Sequence, residues 1–497
     1  VLAIKQLKNY KSPGMDGIAP EMLKADEIQT PMAYNGLFNH MWRDEVAPVE
    51  WKEKGIIVRV PKKGDLRDCG NWRGITLSPV GMKVFSKVIL NRIEPVIDRI
   101  LRKEQAGFRK GRGCDNHIFT LRHITQQCNE LKSPLVLCFV DFEKAFDSIS
   151  RSMLKKILRH YGIPEKIVNI IMDMHSGTCC RVMVDGGFTD AFEVKTGVLQ
   201  GGILSPLLFV MVIDYVMNKV MQGMNNGIQW KGDQRLCDLE YADDIVLIAP
   251  TMAEMQEMID RLVLEGRKVG LVINQRKTEI MQIQSGDQTN CFIGGVILPK
   301  SDSFKYLGTI ITSNGSLVAE FKERIKRAEQ AMGMLKTVWR SNQISVQSKI
   351  KIYISLVRSI LTYGHQSWYS TVTTDAKFLA FENKALRRIF EIKWQQHITN
   401  TAIREVARVP NVNDIVRLSR WRWMGHILRR EDELVQHVPE WKPLGRRGRG
   451  RPRETWLMTM QKEVGYENWA ELREMAQERD IWREFIEALC IPWVPED

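Results

Sequence analysis

The sequence predicts an α+β fold, with strands and helices in the centre of the chain and helices in most of the rest. A run of apolar, β-branched and aromatic residues, "LVLCFVDF" (135–142), is typical of a buried strand. A second apolar run, "LEYADDIVLIAP" (239–250), contains two adjacent aspartates and indicates a hairpin. From 317 to 390 the apolar residues recur with helical spacing, so a helical region follows the strands.

Start and stop signals place the individual elements. Residues 1–134 mix short apolar runs with Gly, Pro and Lys, and within them 80–102 has a helical period. Ser150 can cap a helix that runs to His160, and Ser205 followed by Pro206 predicts another helix start with a capping hydroxyl. Further along, we expect an amphipathic helix over 253–269, then the strand "LVINQRKTEIMQI", then helices starting near 317, 345 and 374.

Composition limits the class of protein. The 497 residues are enough for about three structural units. A net charge of +13 favours a polyanionic partner, although a merely soluble basic surface would also produce it. The nine cysteines are odd in number and lack zinc-ligand spacing, so we expect reduced thiols in an intracellular protein. No run is long enough to span a membrane and no signal peptide is visible; the chain opens on Val1, so we expect a fragment.

The adjacent acids suggest a metal site. Asp243 and Asp244 lie in an apolar run, and a buried ionised carboxylate is costly without a positive partner. Asp141 ends the other strand run, and Asp147 follows it. Two strands that each bring an aspartate to one sheet edge would offer the hard oxygen ligands that Mg²⁺ prefers. Taken alone, however, each acid could equally be a turn or cap residue.

A set of further motifs accompanies these acids in a fixed order: "NWRGITLS" (71–78), "GFRKGR" (107–112), "VDFEKAFD" (140–147), "GVLQGGILSPLLF" (197–209), "INQRKTE" (273–279) and "FKYLG" (304–308). With this order, residues 1 to about 310 resemble the reverse transcriptases of non-LTR (LINE-type) retrotransposons, and the helical region after them is also similar. Ala242, where retroviral relatives have Met, and the block "KSPGMDG" (11–17) favour the non-LTR or group II intron branch.

The resemblance implies a right-hand polymerase. Fingers with an N-terminal extension block would occupy 1–134, and a palm with an antiparallel sheet would occupy 135–312. A helical thumb would follow over 313–395. The remaining residues, 396–497, would form a basic, mainly helical, Trp- and Arg-rich region that binds nucleic acid.

The resemblance also implies roles for single residues. Asp141, Asp243 and Asp244 would be the catalytic residues and the ligands of two Mg²⁺ ions, for which Mn²⁺ can substitute. Phe146 would press against the sugar C2′ and exclude ribonucleotides; the alternative is an ordinary core phenylalanine. Lys277 would protonate the leaving pyrophosphate.

Further residues would contact the nucleotide and the primer. Gln200 and Gly201 would line the nascent base pair, although a plain loop before a helix also fits them. Arg73 and Arg109 would clamp the incoming triphosphate, or each could be a solvated surface charge. The hairpin of Tyr306, Leu307 and Gly308 would grip the end of the primer.

The basic C-terminal stretch "GRRGRGRPR" (445–453) is too irregular for a packed element, so we expect a linker or arm. Its core, "RGRP", resembles an AT-hook, while non-specific phosphate contact and a nuclear-import signal are the alternatives. Nearby tryptophans could stack on bases or simply form core. The arginines expected to bind nucleic acid are Arg446, Arg447, Arg449, Arg451 and Arg453.

Together these features predict an RNA-directed DNA polymerase that adds dNTPs to a primer 3′-OH, in target-primed retrotransposition. Its partners would be template RNA, primer and target DNA, and dNTPs, with no membrane; an endonuclease would lie upstream, outside this chain. We expect a nuclear location with a cytoplasmic ribonucleoprotein stage. The alternatives are a catalytically silent or domesticated nucleic-acid-binding protein and a group II intron-like maturase.

Overall fold

A computed structural model describes residues 1–53, 55–62, 64–430, 434–450, 452–465 and 469–490, the side chain of Trp469 excepted. The strands are β1 (Gly55–Pro61), β2 (Trp72–Leu77), β3 (Leu135–Val140), β4 (Cys179–Val184), β5 (Gly187–Phe188), β6 (Phe192–Glu193), β7 (Ile228–Lys231), β8 (Gln234–Leu236), β9 (Asp238–Tyr241), β10 (Asp244–Ala249), β11 (Glu279–Ile283), β12 (Phe292–Ile293), β13 (Val296–Ile297), β14 (Ser303–Tyr306) and β15 (Thr309–Thr312).

The helices of the first part of the chain are α1 (Leu2–Lys5), α2 (Pro20–Lys24), α3 (Gln29–Asp44), α4 (Val49–Glu53), α5 (Val80–Ile100), α6 (Cys114–Leu131), α7 (Ala145–Ser148), α8 (Arg151–His160), α9 (Glu165–His175), α10 (Ser205–Met221) and α11 (Met252–Lys268). Those of the second part are α12 (Val318–Met334), α13 (Lys336–Arg340), α14 (Val346–Ile352), α15 (Ser359–Leu361), α16 (Val372–Ile389), α17 (Asn400–Ala407), α18 (Val412–Leu428), α19 (Leu434–His437), α20 (Trp456–Val464), α21 (Trp469–Gln477) and α22 (Arg479–Cys490). A π-helical stretch, Tyr353–Arg358, joins α14 to α15. The fold is therefore mixed α+β, as the sequence predicts.

The central sheet has the strand order β11-β3-β10-β9, and all its pairs are antiparallel. Every residue of β3 is buried, because helices cover one face of the sheet and α6 with the β14–β15 hairpin covers the other. Val136, Cys138 and Val140 point to the first face, while Leu137 and Phe139 point to the second. Burial on both faces explains why this strand reads as a continuous apolar run rather than as an alternating one.

A second sheet forms from two distant parts of the chain. Its order is β2-β1-β4-β5, with β6 also on β4, and β1 pairs with β4 in parallel. The sequence assigns β1 and β2 to the predicted fingers (1–134) but β4 to the predicted palm (135–312). The sheets therefore do not divide at residue 134, since β4 to β6 complete the sheet that β1 begins.

The helical second half contains two cores. Trp339, Trp368 and Phe378 lie in a core built mainly from α12 to α16. This core also takes residues from α17 and the start of α18, so it crosses the expected boundary at residue 395. A second core, the C-terminal core, gathers residues of α18 to α22 and Phe119 of α6.

The tryptophans expected to stack on bases are Trp421, Trp423 and Trp441. Trp421 and Trp441 are almost completely buried, so the alternative of a packed core is correct for these two side chains. Trp423 is half-buried beside Phe119, and stacking on bases stays a prediction for it. Large apolar burial of this kind stabilises each site by about 2–3 kcal/mol.

The predicted helix starts are mostly confirmed. The Ser150 hydroxyl accepts a hydrogen bond from Met153 N at the start of α8, as a capping residue does. The predicted start of α10 is correct. The predicted cap is wrong, because Ser205 is the first helical residue and no side chain caps this helix. The strand expected over "LVINQRKTEIMQI" shortens to β11, since the residues before it form turns.

No described helix combines the length and the apolar character that a membrane crossing requires. All nine cysteines are free, in agreement with the expected reduced thiols.

Candidate active site

The two adjacent aspartates lie at the tip of the hairpin formed by β9 and β10, which we call the Asp-Asp hairpin. Tyr241 pairs with Asp244, and Ala242 and Asp243 form the two-residue turn. Ala242 has φ +57°, a left-handed conformation that alanine rarely adopts, so its surroundings must hold it there. A turn with positive φ at its first central residue matches the twist of a hairpin.

The segment before α6 holds this turn in place. The Gln105 side-chain oxygen accepts hydrogen bonds from Ala242 N at 3.1 Å and from Gly107 N at 2.7 Å. A Cβ on Gly107 would overlap the backbone of Ala242, so only glycine allows this approach. Gln105 and Gly107 therefore fix the strained turn from outside the sheet.

The strand register brings Asp141 to the same sheet edge. Ile245 pairs with Val140 at the end of the β3–β10 ladder, so Asp244 and Asp141 are the next residues on the two strands. Asn274 N donates to the Asp141 carbonyl at 2.8 Å, which docks the loop before β11 on this edge. All three predicted aspartates therefore lie at one end of the central sheet.

The surroundings raise the pKa of both Asp243 and Asp244. Asp243 and Asp244 are open to solvent but lie deep among neighbouring elements. Partial burial raises the pKa of Asp244 to about 6, and repulsion from Asp243 and Asp141 adds to the shift. Burial likewise raises the pKa of Asp243, against the opposing charge of Arg73. Like charges held at one edge are typical of a site that receives cations.

The donor set suits a hard divalent cation. Among the described residues, no three His, Cys, Asp or Glu side chains stand close enough together to hold an ion as they are. The three aspartates nevertheless supply carboxylate oxygens alone, which Mg²⁺ prefers, and Asp141 Oδ2 is buried without a hydrogen-bond partner. Lys277 Nζ lies 3.5 Å from this oxygen, so a cationic side chain reaches the same edge.

Strand β2 and the loop before α10 meet beside the acids. Thr76 N donates to Gln200 O at 2.6 Å, and Gly201 has φ +107°. A Cβ on Gly201 would lie 2.6 Å from Thr76 O, so glycine is needed for this contact. Arg73 lies on the same strand, and its charge lowers the pKa of both Asp243 and Asp244. Arg73 therefore lies near the two aspartates, and Gln200 and Gly201 lie against the same strand.

Phe146 is half-buried one turn beyond Asp141. Its ring stacks on Phe209 with 4.1 Å between centroids, and Phe108 meets it edge-on at 6.4 Å. The neighbouring Asp147 accepts a hydrogen bond from Gln200 Nε2 at 3.1 Å. The ring is therefore held rigidly from behind while part of it stays accessible, as either a sugar gate or an ordinary packing residue would be.

Arg109 does not join this surface. Its side chain is buried, Nε donates to Asp98 Oδ1 at 2.6 Å, and Nη1 donates to the Gln105 carbonyl at 2.9 Å. Further bonds reach the carbonyls of Asp98 and Arg102. Its donors are committed to the protein, which disagrees with the predicted clamp on a triphosphate, and the side chain instead supports the loop that carries Gln105.

The predicted primer grip is a tight hairpin between β14 and β15. Leu307 and Gly308 form its turn, both with positive φ. Tyr363 donates from its hydroxyl to Leu307 O at 2.8 Å, and Arg324 donates to Gly308 O. The Tyr306 side chain is buried, so a primer could meet the turn residues but not this ring.

Sequence reasoning missed the charged support of β9. Arg102 Nη2 lies 2.7 Å from Asp238 Oδ1 and also pairs with Glu240, and both acids are completely buried. A guanidinium between two buried carboxylates fixes the strand that enters the Asp-Asp hairpin. The sequence feature that could have indicated this support is the pair of acids at positions 238 and 240, because alternate side chains of a strand lie on the same face.

The predicted C-terminal arm (445–453) has neither helix nor strand in its described part, as expected. It nevertheless packs against α6: Arg447 pairs with Glu130 at 2.9 Å, and Gly445 contacts the end of the helix. Arg453 donates to Asn314 O at 3.0 Å. Arg446 and Arg449 are exposed, and Arg451 lies outside the described residues.

An antiparallel sheet with three aspartates at one edge, backed by helices and with Arg73 of β2 near the acids, is the arrangement of nucleotidyl-transferring polymerases. A sequence model of the reverse transcriptase (RNA-dependent DNA polymerase) family matches residues 60–311, just over half of the chain. The chain belongs to this family.

Similar proteins indicate which branch of the reverse transcriptase family the chain resembles. The RNA-directed DNA polymerase described for transposon BS of Drosophila melanogaster is 24% identical over 464 residues, covering 90% of this chain and 50% of that protein. The RNA-directed DNA polymerase from mobile element jockey of Drosophila funebris is 24% identical over 433 residues, covering 83% and 46%. These relatives confirm the predicted LINE-type branch. The chain spans about half the length of these relatives.

A solved telomerase from Candida tropicalis, in complex with a TWJ fragment of telomeric RNA, is also similar. The two structures superpose with a TM-score of 0.41 at 14% sequence identity, and the match covers 86% of this chain and 69% of the telomerase chain.

Proposed function

We propose that this chain is an RNA-directed DNA polymerase that extends a DNA primer with dNTPs on an RNA template. The observation that carries the proposal is the meeting of Asp141, Asp243 and Asp244 at one sheet edge, in a chain of the reverse transcriptase family. Arg73, Gln200 and Gly201 line the adjoining surface, where an incoming nucleotide would need contacts to its phosphates and base.

The three aspartates would hold the metal ions. Two Mg²⁺ ions bound there would supply activation of the primer 3′-OH and neutralisation of charge on the leaving pyrophosphate. The chain's own residues orient the reactants: Arg73 attracts the triphosphate, and Phe146 excludes a 2′-OH through its ring, which Phe209 supports. Lys277, which pairs with Asp141, would donate a proton to the leaving pyrophosphate, and its position at the same edge supports this role.

The partners follow from this assignment. Template RNA, a DNA primer and dNTPs are the substrates of the proposed reaction, and the net charge of +13 suits their phosphates. The resemblance to non-LTR retrotransposon reverse transcriptases also leads us to propose synthesis primed at target DNA, and chromosomal target DNA would require a nuclear stage after a cytoplasmic ribonucleoprotein stage.

Primer extension on poly(rA)/oligo(dT) with dTTP and Mg²⁺ tests the proposal. We expect extension by the unaltered chain, loss of extension with EDTA, and recovery with added Mg²⁺ or Mn²⁺. Asp243→Asn should abolish synthesis while template binding survives, because the substitution removes a ligand charge without changing shape. Asp260→Asn, on the exposed face of α11, is the matched control and should extend normally.

A chain that binds the template but never extends it, with either metal, would contradict the polymerase assignment. That result would favour the alternative of a domesticated nucleic-acid-binding protein. Equal extension by Asp243→Asn and Asp260→Asn would instead remove the aspartates from the mechanism.

A further inference from the structure

A concave pocket of about 530 Å³ lies between α18 and α22, away from the three aspartates. We call it the arginine pocket, since its rim is formed by Arg422, Arg429, Arg430, Arg479 and Arg483. Trp482 and Ile486 form an apolar floor, and both are almost completely buried. The sequence predicts nucleic-acid binding for 396–497 as a whole, but the arginines that it singles out lie in the arm at 445–453 and not in this pocket.

Helical spacing aims the arginines at one cavity. Arg422 lies on α18, and Arg429, seven residues later, directly follows its last residue with helical backbone angles. Arg479 and Arg483 are four residues apart on α22, so each pair lies on one side of its helix. The helices approach closely because a Cβ on Gly425 would overlap the Trp482 ring. The close approach sets the two rows of guanidinium groups on opposite sides of the same floor.

The pocket gathers five guanidinium groups around one floor. Arg422 and Arg479 have no acidic side chain within 4 Å among the described residues, and Arg483 meets Asp480 at 3.2 Å on the exposed rim. Partial burial and the charge of Arg479 both lower the pKa of Arg429. Repulsion among guanidinium groups costs stability, and an anionic ligand with several charges would offset it.

The pocket also connects to the candidate active site. Arg430 donates to the carbonyl of Gly111, in the loop 105–113. The same loop carries Gly107 and Gln105, which contact the turn of the Asp-Asp hairpin. A strand bound along the outside of this loop would therefore pass from the polymerase edge towards the arginine pocket.

We propose that the arginine pocket binds backbone phosphates of the nucleic acid on which the polymerase acts, separately from the arm at 445–453. The proposal rests on the proposed polymerase function for the identity of the strand, whereas the phosphate chemistry follows from the pocket itself. Arginine suits this role because its planar guanidinium contacts two phosphate oxygens at once.

Equilibrium binding of labelled nucleic acid tests the pocket. The triple variant R422Q/R479Q/R483Q removes three exposed charges, and R99Q/R267Q/R388Q is a control that removes three exposed arginines from other helices. Fluorescence anisotropy with poly(rA), an rA·dT hybrid and duplex DNA, each at several KCl concentrations, gives affinity and its salt dependence. Binding is measured without dNTPs, so a chain lacking polymerase activity would still report on the pocket.

We expect the pocket variant to bind at least one of the three probes about tenfold more weakly than the control. Its plot of log affinity against log salt should flatten by about two, because each lost phosphate contact removes about 0.7–0.9 from the slope. The probe with the largest change identifies the bound strand. Equal slopes for the two variants on all three probes would overturn the proposal, and circular dichroism of both variants guards against a folding defect.

Discussion

Phe146 shows how one side chain can be both packed and exposed to substrate. Its ring stacks on Phe209, so its position is fixed before any nucleotide enters, and rigid support is what a steric gate requires. A sequence can predict the aromatic residue five positions after Asp141, but the stacking partner lies 63 residues away and only the folded chain supplies it.

Phe146→Ala should therefore relax sugar selectivity. Removing the ring removes the predicted clash with a 2′-OH, so we expect the ratio of kcat/KM for rNTP to that for dNTP to rise by about tenfold or more. Steady-state extension with each nucleotide measures this ratio, which a general loss of stability would not change. Phe108→Ala, at the exposed neighbour, is the control; an unchanged ratio in both variants would leave Phe146 a packing residue.

The aspartates and Arg109 mark what could be predicted residue by residue. Two aspartates inside an apolar run are conspicuous because burial of charge is costly, and they do share an edge with Asp141. The position of the Arg109 guanidinium is set by hydrogen bonds to Asp98 and to carbonyls of an irregular loop, and no local sequence pattern indicates these partners. The charges of the site could be predicted, but their exact partners could not.

Among the elements, the β14–β15 hairpin depends on the helical region for its shape. Burial raises the pKa of Tyr363 well above its ordinary value, so its hydroxyl keeps its proton and donates to Leu307 O. Arg324 adds a second bond and lies over the Tyr363 ring at 4.8 Å. The turn predicted to meet the primer is thus held from the thumb side.

Tyr363→Phe should weaken this support. Loss of the hydroxyl leaves the Leu307 carbonyl without that donor, so we expect unfolding free energy to fall by about 1 kcal/mol and KM for the primer to rise by several-fold. Chemical denaturation and extension at varied primer concentration measure the two effects. Tyr10→Phe, at an almost fully exposed tyrosine, is the control. Loss of stability without any change in primer KM would argue against a role in gripping the primer.

A test of DNA contacts by the arm at 445–453 should substitute its arginines rather than delete the arm. Arg447 pairs with Glu130 and Gly445 contacts α6, so deleting the arm would also disturb packing. R446Q/R449Q changes only exposed arginines and should reduce the salt slope of DNA binding by up to about two, if both contact phosphates. Binding to duplex DNA at several KCl concentrations checks this against R99Q/R267Q, and an identical slope would remove the arm from the DNA contacts.

Helix starts could be predicted because capping is local, whereas strand pairing could not. Ser150 lies directly before the backbone groups that it caps, so four residues are enough to identify it. The parallel pairing of β1 with β4 joins residues more than 120 positions apart, and both strands are short. No local pattern therefore indicates that β1 and β4 share a sheet.

On the scale of the whole molecule, buried histidines link stability to pH. Burial lowers the pKa of His117 to about 3 and those of His123 and His175 to about 4. The unfolded chain protonates these side chains near pH 6.5, whereas the folded chain keeps them neutral. Each therefore contributes stability that is complete above pH 6.5 and is lost as pH falls from 6.5 towards 4, at up to about 1.4 kcal/mol per pH unit.

His123→Leu isolates one of these contributions. Relative to the unaltered chain, the variant should gain about 1–2 kcal/mol of unfolding free energy between pH 6.5 and pH 5, because it has no imidazole to protonate on unfolding. Urea denaturation at the two pH values gives the difference, which cancels the titration of every other group. His397→Leu, at an exposed position, should show no such change; a pH-independent difference for His123→Leu would contradict the linkage.

The packing of α6 has a consequence for how the chain is made. Glu130, at the end of this helix, bonds to Arg453, which lies 323 residues later, and Phe119 packs on Trp456 at 4.8 Å. During translation the helix leaves the ribosome long before these residues exist, with part of its apolar surface uncovered. This surface of α6 is thus covered only after Arg453 and Trp456 have been made, and a protein truncated before these residues would leave it open to chaperones and proteases.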